Sequence, residues 1–119
     1  MVDTLAVVQG CYFFITGIWP IFSIRTFMMI TGPKTDLWLV KTVGAVLAVV
    51  GATLVLAGAS GEVTASVALL AAGSSAALAC VDVRYASRRV ISPIYLADAA
   101  IEAVLILCWI AVYLLDSAP

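Results

Sequence analysis

Residues 4–24, 42–60 and 63–81 contain no Asp, Glu, Lys or Arg, and a fourth apolar stretch, 90–115, is interrupted only by Asp98 and Glu102. A helix needs about 20 apolar residues to cross a hydrocarbon layer of about 30 Å. Lipid offers the backbone no hydrogen bonds, so such segments must satisfy their own N–H and C=O groups, and a helix does this within one segment. With 65% apolar and 11% charged residues, the chain cannot surround a soluble core of this size with a polar shell. The sequence therefore predicts one domain over residues 1–119, an all-α integral membrane four-helix bundle with spans at about 4–30, 36–59, 63–83 and 93–115. The first segment reads as a retained span and not as a cleaved signal peptide. Asp3 stands where a positive n-region belongs, the apolar run exceeds the roughly 7–15 residues of an h-region, and no A-x-A-like site follows.

Charge sets the expected orientation. One side receives the N-terminus, the turn at 59–62 and the C-terminus; the other receives the loops at 25–36 and 82–92. All six basic residues (Arg25, Lys34, Lys41, Arg84, Arg88 and Arg89) belong to the second side or to the helix ends that reach it. The first side carries Asp3, Glu62 and Asp116 and no cation. The positive-inside rule places both basic loops in the cytoplasm and both termini outside, in a cell (inner or plasma) membrane. With a net charge of -1, no basic surface is left over for nucleic acid. Histidine is absent, and Cys11, Cys80 and Cys108 are isolated. Haem held through histidine and His-containing zinc sites are thereby excluded, no metal or cofactor is expected, and the cysteines read as apolar packing residues within the spans.

Pro20 predicts a kink in the first span, with the helix running on to about residue 31 before Gly32-Pro33 stops it. Thr35 or Asp36 is placed to cap the next helix. Small residues then recur. Gly44, Gly51 and Gly58 share a stripe on the second span, and the third span is rich in Ala, Gly and Ser. Small residues let helix backbones approach closely, so spans two and three are expected to form a tight hairpin, with the bulkier spans one and four packed outside it. The two halves are also weakly alike. Each has a cytoplasmic turn with a proline (Pro33, Pro93) followed by a span containing Ala-Val-Leu, at positions 45–47 and 103–105.

The charges inside the last span carry the functional question. Ser92 and Pro93 suit a helix start, which puts Asp98 and Glu102 on one face, four residues apart. The 13 apolar residues of 103–115 that follow Glu102 make about 20 Å of helix, so Glu102 is expected about a third of the way into the membrane. A charge there costs on the order of 2–3 kcal/mol, and such residues face the bundle interior and mark functional sites by default. Lys41 and Arg25 are candidate counter-charges, Glu102–Lys41 being the preferred pair. Asp82, Trp38, Tyr85 and Tyr95 complete a candidate pocket open to the cytoplasm, with Asp98 and Glu102 as its floor. Asp82 and Asp36 also read as a loop partner and a cap, and Gln9 as an interhelical hydrogen bond.

"TGPKTDLWLVKTVG" (31–44) and "VDVRYASRRVISPIYLADAAIE" (81–102) resemble a family of small prokaryotic four-span membrane proteins. The resemblance covers most of the chain. It implies a four-helix membrane protein and a special role for the two cytoplasmic-side motifs, and it implies no activity. Three functional expectations follow. The first is a protein that binds or transports a small cation, a proton or a polar or lipidic ligand at Asp98 and Glu102, as a homo-oligomer in the bilayer. The second is an accessory subunit of a larger membrane complex. The third is a membrane enzyme using carboxylates as acid and base on a lipid-like substrate. No nucleophile elbow, metal set or phosphate loop supports the enzyme.

Overall fold

The computed structural model describes residues 1–116; the C-terminal tail, which the charge pattern assigns to the outer side, lies outside the described residues. The chain folds into α1 (Val2–Phe22), α2 (Ile24–Thr31), α3 (Leu37–Ala59), α4 (Ala65–Ser87) and α5 (Tyr95–Asp116). By length and composition α1, α3, α4 and α5 can each cross a membrane, and the chain is read as a multi-pass membrane protein. At 1.5 Å per residue each is about 32–35 Å long.

Four apolar runs give five helices because the first divides at Ser23. Pro20 lacks the N–H that would bond back into the preceding turn, and its ring crowds that turn. The chain leaves helical geometry three residues later, at Ser23 (φ -150, ψ 80). The Ser23 hydroxyl then accepts the Thr26 N–H at 3.4 Å and starts α2. Trp19 fixes the angle between the two helices. Its Nε1 donates to Thr26 Oγ1 at 3.0 Å, and its ring meets Phe27 edge-on at 5.3 Å. The span expected to continue to residue 30 thus ends at Phe22.

The tertiary pairing differs from the expected hairpin. α1 packs along α3, α4 packs along α5, and α3 and α4 barely touch. The reason lies in matched glycines. A Cβ on Gly51 would stand 2.5 Å from Phe14 N and 2.6 Å from Gly10 O, and one on Gly17 would stand 2.5 Å from Gly44 O. One on Gly58 would stand 2.5 Å from Asp3 O. These antiparallel pairings put backbone on backbone, which only glycine permits. The small residues of α4 find no such mates: Ala68, Ala71 and Ser75 face inward, whereas Gly73, Ala76 and Ala77 face outward. The first span is therefore central and not peripheral. α1 sits between α3 on one side and α4 and α5 on the other, with Ala6, Phe13, Leu54, Ala68, Ala71 and Trp109 in the shared core. The three cysteines are free and exposed; they lie on the outer surface of the bundle and not in its packing.

The α3–α4 and α4–α5 turns use one device twice. After α3, Glu62 N–H bonds to Ala57 O at 2.8 Å and Gly61 N–H to Gly58 O at 3.3 Å. After α4, Val90 N–H bonds to Tyr85 O at 2.9 Å and Arg89 N–H to Ala86 O at 3.1 Å. Both are Schellman caps, which need a left-handed residue just past the helix. Gly61 (φ 66) supplies it in the first turn and Arg89 (φ 59) in the second. A side chain in that conformation costs about 1–2 kcal/mol that glycine avoids.

Candidate functional site

Seven polar or ionisable side chains from three helices meet inside the bundle. α5 contributes Asp98, Glu102 and Trp109, α4 contributes Ser75 and Asp82, and α1 contributes Gln9 and Tyr12. Glu102, Gln9 and Ser75 are wholly buried, and Asp82 is 5% exposed. The helical periods explain the assembly. Positions 98, 102 and 109 recur on one face of α5, 75 and 82 on one face of α4, and 9 and 12 on one face of α1.

The hydrogen bonds run in one direction. Trp109 Nε1 donates to Gln9 Oε1 at 2.7 Å. Gln9 Nε2 donates to Ser75 Oγ at 3.0 Å and to Ala71 O at 2.8 Å. The Ser75 hydroxyl donates to Glu102 Oε1 at 3.2 Å. Each bond polarises the next, and the chain ends on the Glu102 carboxyl. One turn nearer the basic end, the Tyr12 hydroxyl donates to Asp98 Oδ1, and Asp82 lies beside Asp98. From Asp98 to Trp109 the thread covers about 16 Å of helix.

Two oxygens in this interior have no partner: Glu102 Oε2 and Asp82 Oδ2. The ionisable neighbours of Asp82 are Asp98 and Glu102, and Asp98 is the ionisable neighbour of Glu102. Tyr12 faces all three carboxyls. No cation stands among them. Among the described residues, no group of His, Cys, Asp or Glu has the arrangement to hold a metal ion.

Of the residues singled out from sequence, the structure gathers Asp98, Glu102 and Asp82 and leaves the others outside. Lys41 is exposed on α3 and has no polar partner among the described residues. The expected Glu102–Lys41 pair does not form because α1 separates α3 from α5. Arg25 is exposed on α2, Trp38 is 70% exposed, and Tyr85 lies on the outer face of α4. Tyr95 carries the Lys34 ammonium 4.9 Å from its ring centre, at the basic end. The pocket at that end is walled by the two loops, with neither Asp98 nor Glu102 in its lining; the acids lie deeper, between helices. Asp82 is not a helix-end residue, because α4 runs on to Ser87. Tyr12, Ser75 and Trp109 were not singled out. The available signal is their helical spacing against Gln9, Asp82 and Glu102: three residues from Gln9 to Tyr12, and seven from Ser75 to Asp82 and from Glu102 to Trp109.

No family model matches the chain, and no curated protein or solved structure is significantly similar to it.

Gln9 joins α1 to both α4 and α5, so Gln9→Leu is expected to destabilise the bundle by about 1–3 kcal/mol by orphaning Trp109 Nε1 and taking from Ser75 Oγ the donor it accepts from. Unfolding in SDS from mixed micelles measures this. A Leu variant as stable as the parent would show the thread to be energetically idle.

Proposed function

We propose that this protein binds and translocates protons, with Glu102 as the central site and Asp82 and Asp98 as its access from the basic end. The observation that carries the reading is the pair of buried, unpartnered carboxyl oxygens, Glu102 Oε2 and Asp82 Oδ2, in a cluster without a counter-cation. Charge alone would drive such groups apart in low dielectric. Carboxyls held in contact share a proton, and an unpartnered oxygen is where the proton is accepted. A proton fits better than a larger cation because the oxygens do not form a coordination shell.

Beyond Glu102 the thread changes character. A serine hydroxyl can pass a proton by exchanging its donor and acceptor roles. The Gln9 amide and the Trp109 indole cannot readily do so, because the indole is a donor only. The outer half therefore acts as a barrier, and passage requires Gln9 to turn away from Ser75. This fits gated or coupled transfer better than a continuous leak. On the positive-inside assignment, the carboxyl end faces the cytoplasm and the Gln9–Trp109 end faces outside.

The test is proton uptake by proteoliposomes holding a potassium gradient, started with valinomycin and read by an entrapped pH indicator. Wild-type vesicles should acidify faster than protein-free vesicles, and Asp98→Asn should slow the rate at least about tenfold. Uptake no faster than in empty vesicles would remove the proposal. Co-purification of a stoichiometric foreign protein would instead favour the accessory-subunit reading.

A further inference from the structure

At the basic end of the bundle, the 31–36 and 89–93 segments line a cleft of about 970 Å³. It is separate from the carboxyl thread, none of whose members lines it. Two cations do: Lys34 and Arg89. The Lys34 ammonium is held 4.9 Å above the Tyr95 ring centre and 5.8 Å from that of Phe27, and donates to the Thr31 carbonyl at 3.3 Å. The Arg89 guanidinium has no polar partner among the described residues. Asp36, exposed at the start of α3, is the acid on the lining, so the walls carry two positive charges against one negative. Val40, Val90 and Ile91 make part of the remaining wall apolar.

Arg89 is the informative residue. It occupies the left-handed cap position that Gly61 fills in the other turn. The cap uses only its backbone, and glycine would form it without strain. An arginine kept there at conformational cost has a use for its side chain, and Arg89 is one of the residues that line the cleft. Strain of this kind gathers at ligand clamps. The cleft also stands at the ends of the spanning helices, the level at which headgroups lie.

We propose that the cleft seats one anionic phospholipid, its phosphate held by Lys34 and Arg89 and the first carbons of its chain against Val40, Val90 and Ile91. A free anion would match the two cations but leave the apolar wall unused. A zwitterionic lipid would match the wall but bring its own cation to a positive site. Basic residues near a membrane surface attract anionic lipid with a strength that each contributes separately.

Native mass spectrometry of the detergent-solubilised full chain tests this, with phosphatidylglycerol or phosphatidylcholine added at equal ratio. One phosphatidylglycerol should be retained in preference to phosphatidylcholine, and Lys34→Gln or Arg89→Gly should each weaken retention about fivefold. Arg89→Gly separates binding from folding, since its thermal stability should equal or exceed that of the parent. Equal retention of both lipids, or retention unchanged in both variants, overturns the proposal. So does displacement of the lipid by millimolar inorganic phosphate, which would make the cleft a small-anion site.

Discussion

Gly51→Leu is expected to prevent α1 from docking on α3 and to leave little folded protein, while Gly73→Leu is tolerated. At Gly51 even a methyl group would stand 2.5 Å from Phe14 N and 2.6 Å from Gly10 O. Both are backbone atoms of a helix and cannot swing aside. Accommodating leucine means parting the helices along their whole line of contact, because Gly17, Gly44 and Gly58 depend on the same close approach. Overpacking alone costs about 1–3 kcal/mol, and here the dispersion contacts of the entire interface are lost with it, since no hydrophobic force holds helices together in lipid. The expected loss is about 3 kcal/mol or more. At Gly73 an added Cβ meets only the end of the Leu69 side chain, at 3.9 Å, and the position faces outward. The yield of monodisperse protein in mild detergent, followed by SDS unfolding of what survives, compares the two variants. If Gly73→Leu proved the damaging change, the α1–α3 pairing would be wrong and the α3–α4 hairpin would return.

That contrast also marks what the sequence could convey. Charge-free runs locate the four spanning helices because lipid penalises any other backbone arrangement, although the first ends at Phe22 and not near residue 30. Pro20 signals the break at Ser23. Helix pairing was harder to read, since α4 is the span richest in small residues and yet meets α3 hardly at all. Smallness permits close approach, but approach occurs where small residues face each other in register. Gly10 and Gly17 on α1 are seven apart, as are Gly44, Gly51 and Gly58 on α3, and that matched spacing was the readable signal. The candidate site divides in the same way. Asp98 and Glu102 stand out because they interrupt an apolar run. Lys41 does not pair with Glu102, because similar depth in the membrane carries no information about which helix stands between. Asp82 reads as a loop partner in the sequence because a charge is expected to end a span, whereas the buried face of α4 carries the acid inward and the helix continues to Ser87. Tyr12 and Ser75 are unremarkable residues until folding sets them against Asp98 and Glu102.

Glu102→Gln is expected to abolish proton uptake while preserving or raising stability. Glutamine has the shape of glutamate, and its carbonyl can still accept the Ser75 hydroxyl now bonded to Glu102 Oε1 at 3.2 Å. Its amide nitrogen takes the place of Oε2, which has no partner, and it cannot release a proton. The substitution thus removes chemistry and leaves packing in place. It also removes an ionisable group from the bundle interior, where charge costs on the order of 2–3 kcal/mol, so the SDS midpoint should stay level or rise. Uptake should fall about 100-fold or more, to the rate of protein-free vesicles. Glu102→Asp makes the complementary change. It keeps the carboxyl but withdraws it by one methylene from Ser75, so uptake should persist at a reduced rate. Infrared difference spectra between acid and alkaline buffer supply a readout independent of flux. One component of the buried carboxyl C=O absorption should be present in the wild type and in Glu102→Asp and lost in Glu102→Gln, while the components of Asp82 and Asp98 remain. A Gln variant that is well folded and still takes up protons at the wild-type rate would place the transfer elsewhere. The buried acid would then be a packing feature held by Ser75, and the translocation proposal would have to be abandoned.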